Sequence, residues 1–196
     1  MENFNDRFYP ETLKLEKPVL KNRLDIRDAH ELERKELDYS ITRLYEINNS
    51  SVPGNFDFYH LQDYHKYIFG DIYDWAGTMR KFGVEKYEEV LAGASVDYTE
   101  PLMIVPVVRN ALNKFNTTDF SSKSLDEKTN IFCDTLATVW KAHPFNEGNT
   151  RTITKFMCDA AKANNLELLL SDTNMIHIKN VTLEELRENN YTISYP

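Results

Sequence analysis

The sequence predicts an all-α fold, mostly helical, with one short β-hairpin. Two patterns carry the helical part. Apolar residues return at three- and four-residue steps in several segments, and capping residues or prolines stand where those segments begin. The hairpin rests on Ala92-Gly93-Ala94, a turn between two mildly β-prone runs within residues 82–98.

Residues 1–25 carry Pro10 and Pro18 and little periodicity. They read as an N-terminal extension packed on the domain, pinned by Phe8, Tyr9, Leu13 and Leu15. Residues 28–48 read as a helix capped by Asp28, with Leu32, Leu37, Ile41, Leu44 and Tyr45 on its apolar face. Glu31, Glu33, Arg34, Lys35 and Glu36 would form its solvated face. Asn49 to Asn55 is a loop by its turn residues. A second helix starts at Asp57 and runs to about Phe69, with Phe58, Leu61, Tyr64, His65 and Ile68 in helical steps. His60 and His65 are five apart, a poor spacing for one helix face, so packing or surface roles are expected for both. Gly70 to Gly77 is a short segment holding Tyr73 and Trp75. Pro101 opens a helix to about Asn113 with Leu102, Val105, Val108, Arg109 and Leu112 on its face; Pro106 predicts a kink or a late start. Asn116 to Ser124 is polar loop. Helices over Leu125–Ala142 and Thr152–Asn164 follow. The main domain thus spans 26–165, and 166–196 is a C-terminal segment with a short capped helix over Thr182–Asn189.

Between the last two long helices lies His143-Pro144-Phe145-Asn146-Glu147-Gly148-Asn149-Thr150-Arg151. Pro144 disfavours an α conformation at His143 and should stop the first helix there. Gly148 and Asn149 favour a turn, and Asn149 is placed to cap the second helix. Backbone N–H groups at that helix start have no intrahelical partners and face the positive end of the dipole, an arrangement that binds phosphate. Arg151 adds a charged fork in the first turn. Glu147 beside an anion site is compatible with phosphates when a Mg²⁺ sits between. His143 is placed to take a proton from a hydroxyl. Base, metal ligand, anion cradle and cation are the parts of nucleotide phosphate chemistry. A His-Pro helix stop and a Gly-Asn turn are also ordinary structure, and spacing alone leaves both readings open.

The chain has 196 residues, 41% hydrophobic and 28% charged, values of a globular chain with room for one full-size domain. A net charge of −8 argues against a nucleic-acid binder, whose field should be positive. Cys133 and Cys158 lack metal-type spacing and read as small buried residues in a reduced cytosol. The N-terminus has no secretory pattern, and no apolar run approaches the ~20 residues that span a bilayer, so a cytoplasmic chain without membrane contact is expected.

The run HPFNEGNTR resembles the active-site motif of the Fic family, whose usual form is His-Pro-Phe-x-(Asp/Glu)-Gly-Asn-Gly-Arg-x-x-Arg. It departs at Thr150, where Gly is usual, and at Thr154, where a second Arg is usual. Phe69 to Arg80, FGDIYDWAGTMR, and Val52 to Asp57, VPGNFD, also resemble the family, so the likeness runs over about residues 20–165.

The resemblance implies a mostly helical fold and transfer of AMP from ATP to a protein hydroxyl. It assigns His143 as general base, Glu147 as ligand of Mg²⁺, Gly148, Asn149 and Thr150 as an anion nest, Arg151 to a phosphate, and Phe145 as a buried anchor. It makes 82–98 a flap on which a target with a Ser, Thr or Tyr hydroxyl docks by strand addition, with Lys86 on the nucleotide side. Thr154 leaves two rivals open: phosphotransfer with ATP reversed, and a non-catalytic nucleotide-binding or interaction module. Many Fic proteins are inhibited by a glutamate in (Ser/Thr)-x-x-x-Glu-(Gly/Asn). The nearest match, Thr42 to Glu46 followed by Ile47, lies on the first core helix and reads as coincidence. Two readings follow: a small antitoxin chain supplies that glutamate, as in antitoxin-paired members, which is the one favoured, or the absence of a second Arg at Thr154 removes the need for it. A homodimer is a further candidate assembly.

Overall fold

A computed structural model describes residues 3–85 and 96–166. Among them the chain forms α1 (Ala29–Asn49), α2 (Phe58–Phe69), α3 (Pro101–Asn116), α4 (Leu125–Ala142) and α5 (Asn149–Ala163). Short 3-10 turns lie at Phe4–Arg7, Pro10–Thr12 and Phe120–Ser122. The strand pairing seen there is an isolated antiparallel bridge between Phe8 and Leu20. The expected hairpin turn, Lys86 and the short helix over Thr182–Asn189 lie outside the described residues. No helix among the described residues is long and apolar enough to cross a membrane.

The chain divides into two compact units, Met1–Asn55 with Tyr59–Met79, and Phe56–Phe58 with Arg80–Pro196. In the first, α1 starts where Asp28 accepts a hydrogen bond from the Glu31 N–H at 2.8 Å. Its buried face differs from the expected one. Leu32, Glu36, Ser40 and Ile47 are buried, whereas Leu37, Ile41 and Tyr45 are 50%, 55% and 70% exposed. A glutamate can replace an apolar residue inside because the Tyr73 hydroxyl donates to its carboxylate. Glu46 bonds Arg43 at 2.8 Å and the Tyr67 hydroxyl at 3.0 Å, and the Arg43 bond foremost holds its carboxyl below the usual range. In the N-terminal stretch Tyr9, Thr12 and Val19 are buried, while Leu13 and Leu15 are exposed.

The expected face of α2 is buried throughout: Phe58, Leu61, Tyr64, His65 and Ile68 are at most 4% exposed. Both histidines pack. His60 Nε2 lies 2.9 Å from the Val52 carbonyl, and His65 Nδ1 accepts from the Gly77 N–H at 2.8 Å. Gly77 has φ of 80°, a conformation that suits glycine at this chain reversal.

In the second unit α4 packs against α3 and α5. α3 starts at Pro101 as expected and continues through Pro106 to Asn116, burying Ile104, Val108, Leu112 and Phe115. Leu102 and Arg109, expected on its inner face, are exposed, and so is Pro106. Leu102 is the residue whose carbonyl Pro106 deprives of an N–H partner, so the loss falls on the solvent side. Ser124 and Glu127 close a capping box at the start of α4. Phe132, Leu136, Val139 and Trp140 of α4 and Ile153, Phe156, Met157 and Ala160 of α5 are all buried, and the two helices pack on each other. This interface carries the loop 143–148 at one end.

Candidate active site

The loop is built by three local devices. α4 ends at His143, which has φ 45° and ψ 59°. Pro144 excludes right-handed α there, as expected, but the residue turns left-handed rather than extended. Its N–H still donates to the carbonyls of Trp140 at 3.0 Å and Val139 at 3.3 Å, which closes the last helical turn. Gly148, with φ of 74°, then turns the chain into α5 and is its N-cap residue.

Asn149 does not cap α5, contrary to expectation. It is the first helical residue and reaches back: its Oδ1 accepts from the Phe145 N–H at 2.9 Å and its Nδ2 donates to the Phe145 carbonyl at 2.8 Å. This reciprocal pair ties the loop to the helix start, and Phe145 itself is fully buried, the anchor expected of it. α5 begins three residues earlier than the apolar spacing suggests, because that spacing does not register a polar first turn. No side chain caps it. The Gly148 N–H is engaged by the Glu147 Oε1 at 2.9 Å.

The imidazole of His143 is 3% exposed and lies against Tyr98, with ring centroids 4.5 Å apart. Glu147, Thr150 and Arg151 are partly exposed around the helix start, and Gly148 and Asn149 are buried. The structure thus brings His143, Glu147, Gly148, Asn149, Thr150 and Arg151 onto one loop and the first turn of one helix. Thr154, one turn on, has its hydroxyl buried without a hydrogen-bond partner. It supplies neither charge nor reach where a second arginine is usual.

For a divalent cation, the site offers the Glu147 carboxylate, a hard oxygen donor. No group of three or more His, Cys, Asp or Glu side chains among the described residues could hold a metal ion. That donor set fits Mg²⁺ arriving with substrate phosphates, since this ion keeps several waters and takes one or two carboxylates.

Two residues of the site escaped sequence reasoning. Tyr98 packs on the imidazole, and Arg80, 1% exposed, donates from Nε to the His143 carbonyl at 2.6 Å. Arg80 closes the second family-like segment, yet nothing local in sequence points to a partner 63 residues away.

A model of the Fic/DOC family matches residues 55–159. The chain is 30% identical over 145 residues to protein adenylyltransferase VbhT of Bartonella schoenbuchensis, covering 74% of this chain and 29% of that protein. It is 30% identical over 142 residues to the probable protein adenylyltransferase y4lH of Sinorhizobium fredii, covering 71% of this chain and 68% of that one. The chain thus spans under a third of the first relative's length and about two thirds of the second's. Among solved structures, BepC of Bartonella tribocorum with bound AMPPNP superposes with a TM-score of 0.73 at 20% identity, covering 95% of this chain and 91% of that one. An N-terminal Fic domain from Bartonella quintana with bound ADP gives 0.74 at 20% identity, covering 95% and 89%. At that identity the likeness speaks for the fold.

Proposed function

The chain belongs to the Fic/DOC family, and from that premise we propose that it transfers AMP from ATP to a hydroxyl side chain of a target protein. One observation carries the reading. His143 and the uncapped start of α5 are held five residues apart on one loop, fixed by the Asn149–Phe145 clamp.

In this reading the amides at the start of α5 and the Arg151 guanidinium bind the phosphates. Glu147 holds Mg²⁺, which when bound neutralises phosphate charge. Lys86 serves the nucleotide side. The target docks along 82–98, and its hydroxyl oxygen bonds to the α-phosphorus while the bond to the bridging oxygen of pyrophosphate breaks. The hydroxyl proton passes to His143, and pyrophosphate leaves. The setting is the cytoplasm, and an antitoxin chain supplies the inhibitory glutamate. Glu46 is already engaged by Arg43 and Tyr67 within its own unit, which supports an outside source. A second copy of the chain is a further assembly partner.

Thr154 favours a second reading, phosphotransfer with ATP reversed. A partnerless buried hydroxyl gives no charged contact to orient the triphosphate.

The test is incubation with Mg²⁺ and ATP labelled at the α- or γ-phosphate, alone and with bacterial lysate. Label from the α position on a protein band, reduced by about 10²–10⁴-fold in His143→Ala, is the expected result. Label from the γ position alone would replace AMP transfer with phosphotransfer. No transfer despite nucleotide binding would leave a binding module, and equal transfer by His143→Ala would remove the assigned base.

A further inference from the structure

Arg80 stands first by volume among the fully buried side chains of the described residues. Its guanidinium spreads over main-chain carbonyls from three stretches of the second unit. Nε donates to His143 at 2.6 Å and Nη2 to Ala142 at 3.2 Å, the carbonyls at the end of α4. Nη1 donates to Phe82 at 2.7 Å, and Nη2 also to Thr99. The Arg80 N–H donates to the Pro144 carbonyl at 2.8 Å, and the Thr99 N–H to Lys141 at 3.2 Å. A cation is favoured at this place, because the C-terminal end of a helix carries the negative end of its dipole.

We propose that Arg80 is a positioning residue for the reaction. It sets the backbone of His143 in its left-handed turn, and it fixes Phe82, the first residue of 82–98, and Thr99, the residue after that segment, to the same point. The inference rests on the AMP-transfer reading for its catalytic consequence: the base and the two ends of the target-docking segment share one reference group. Only arginine fits the task. Its planar fork presents five N–H donors in fixed directions, whereas lysine offers a single point charge with three. Tyr98, packed on the imidazole, places the ring while Arg80 places the backbone.

The consequence separates binding from turnover. The clamp at the start of α5 joins Asn149 to Phe145, whereas the fork of Arg80 grips residues 82, 99, 142 and 143. Loss of the fork should therefore spare the nucleotide and displace the base.

The experiment compares the full chain with Arg80→Lys and Arg80→Met. Nucleotide affinity and stoichiometry, kcat and KM for the target, and amide hydrogen exchange would be measured. In Arg80→Lys we expect one nucleotide per chain, a dissociation constant within about 3-fold of the parent, and a kcat lower by about 10²-fold, the scale of a base displaced by an ångström. Arg80→Met should be lower still. Exchange should rise together over 82–85, 96–100 and 141–146 in both variants. A merely structural role would instead lower the nucleotide-binding stoichiometry in step with kcat. Exchange that rises in one stretch without the others, or a kcat unchanged in Arg80→Lys, would overturn the proposal.

Should the variants not fold, the parent decides. The Arg80 Nε–H, observed by ¹⁵N NMR, should exchange at least about 100-fold more slowly than that of exposed arginines. Equal rates would overturn the proposal. If the parent transfers no label to any protein, the AMP-transfer reading fails, while the exchange measurements still decide whether Arg80 ties the three stretches together.

Discussion

His143 occupies a backbone region that costs a residue with a Cβ roughly 1–2 kcal/mol. The strain sits at the proposed base, held by the Val139 and Trp140 carbonyls on one side and the Arg80 fork on the other. A matched pair of variants isolates it. His143→Ala and His143→Gly both lose the ring and its packing on Tyr98, but only glycine relaxes the backbone. His143→Gly should be the more stable of the two by about 1 kcal/mol in denaturant unfolding, with both inactive. Equal midpoints would place the strain elsewhere. At this scale the sequence is legible in kind but not in partner. Pro144 announces that His143 leaves the right-handed helix; whether it goes extended or left-handed is settled by carbonyls and an arginine that meet only in the folded chain. Asn149 reads as a cap by type, yet the loop closes so that Phe145 offers both a donor and an acceptor, and the amide takes the pair.

Helices are legible unevenly, some at their ends and some on their faces. α4 runs from Leu125 to Ala142 as expected, stopped at the His-Pro step, and the structure shows a capping box at its start. Within that box the Glu127 carboxyl is held below the usual range, first by the Ser124 N–H and then by the Ser124 hydroxyl. A carboxyl depressed in the folded state stabilises it above the unfolded value, about 4.3, and loses that effect as pH falls through its folded value. Glu127→Ala should melt below the parent at neutral pH, and the gap should close on acidification below about pH 4. A gap constant across pH would show that the charge plays no part. α1 teaches the opposite lesson. Asp28 marks its start correctly, but the face chosen by counting apolar residues is the wrong one, because Glu36 goes inside. Its partner Tyr73 lies 37 residues along the chain, beyond any periodicity within the helix.

Across the whole molecule, the family-like segments carry the residues of the proposed chemistry, and the described residues show what holds those segments in place. Each unit is ordered by its own polar anchors, Glu36–Tyr73 in the first and Arg80 with its carbonyls in the second. The inward turn of Glu36 has a converse on the outside. Leu37, Ile41 and Tyr45 form an oily ridge along one helix, and a net charge of −8 opposes unspecific sticking of such ridges. The colloidal behaviour of the protein therefore hangs on its charge more than on a polar coat. Dialysis toward the isoelectric point, near pH 5.2, removes that repulsion, and light scattering should climb there. Ile41→Ser, in the middle of the ridge, should blunt the rise, whereas an unchanged curve would trace stickiness to another surface. A bench protocol that concentrates this chain in mildly acidic buffer will be working against the side of α1 that faces the solvent.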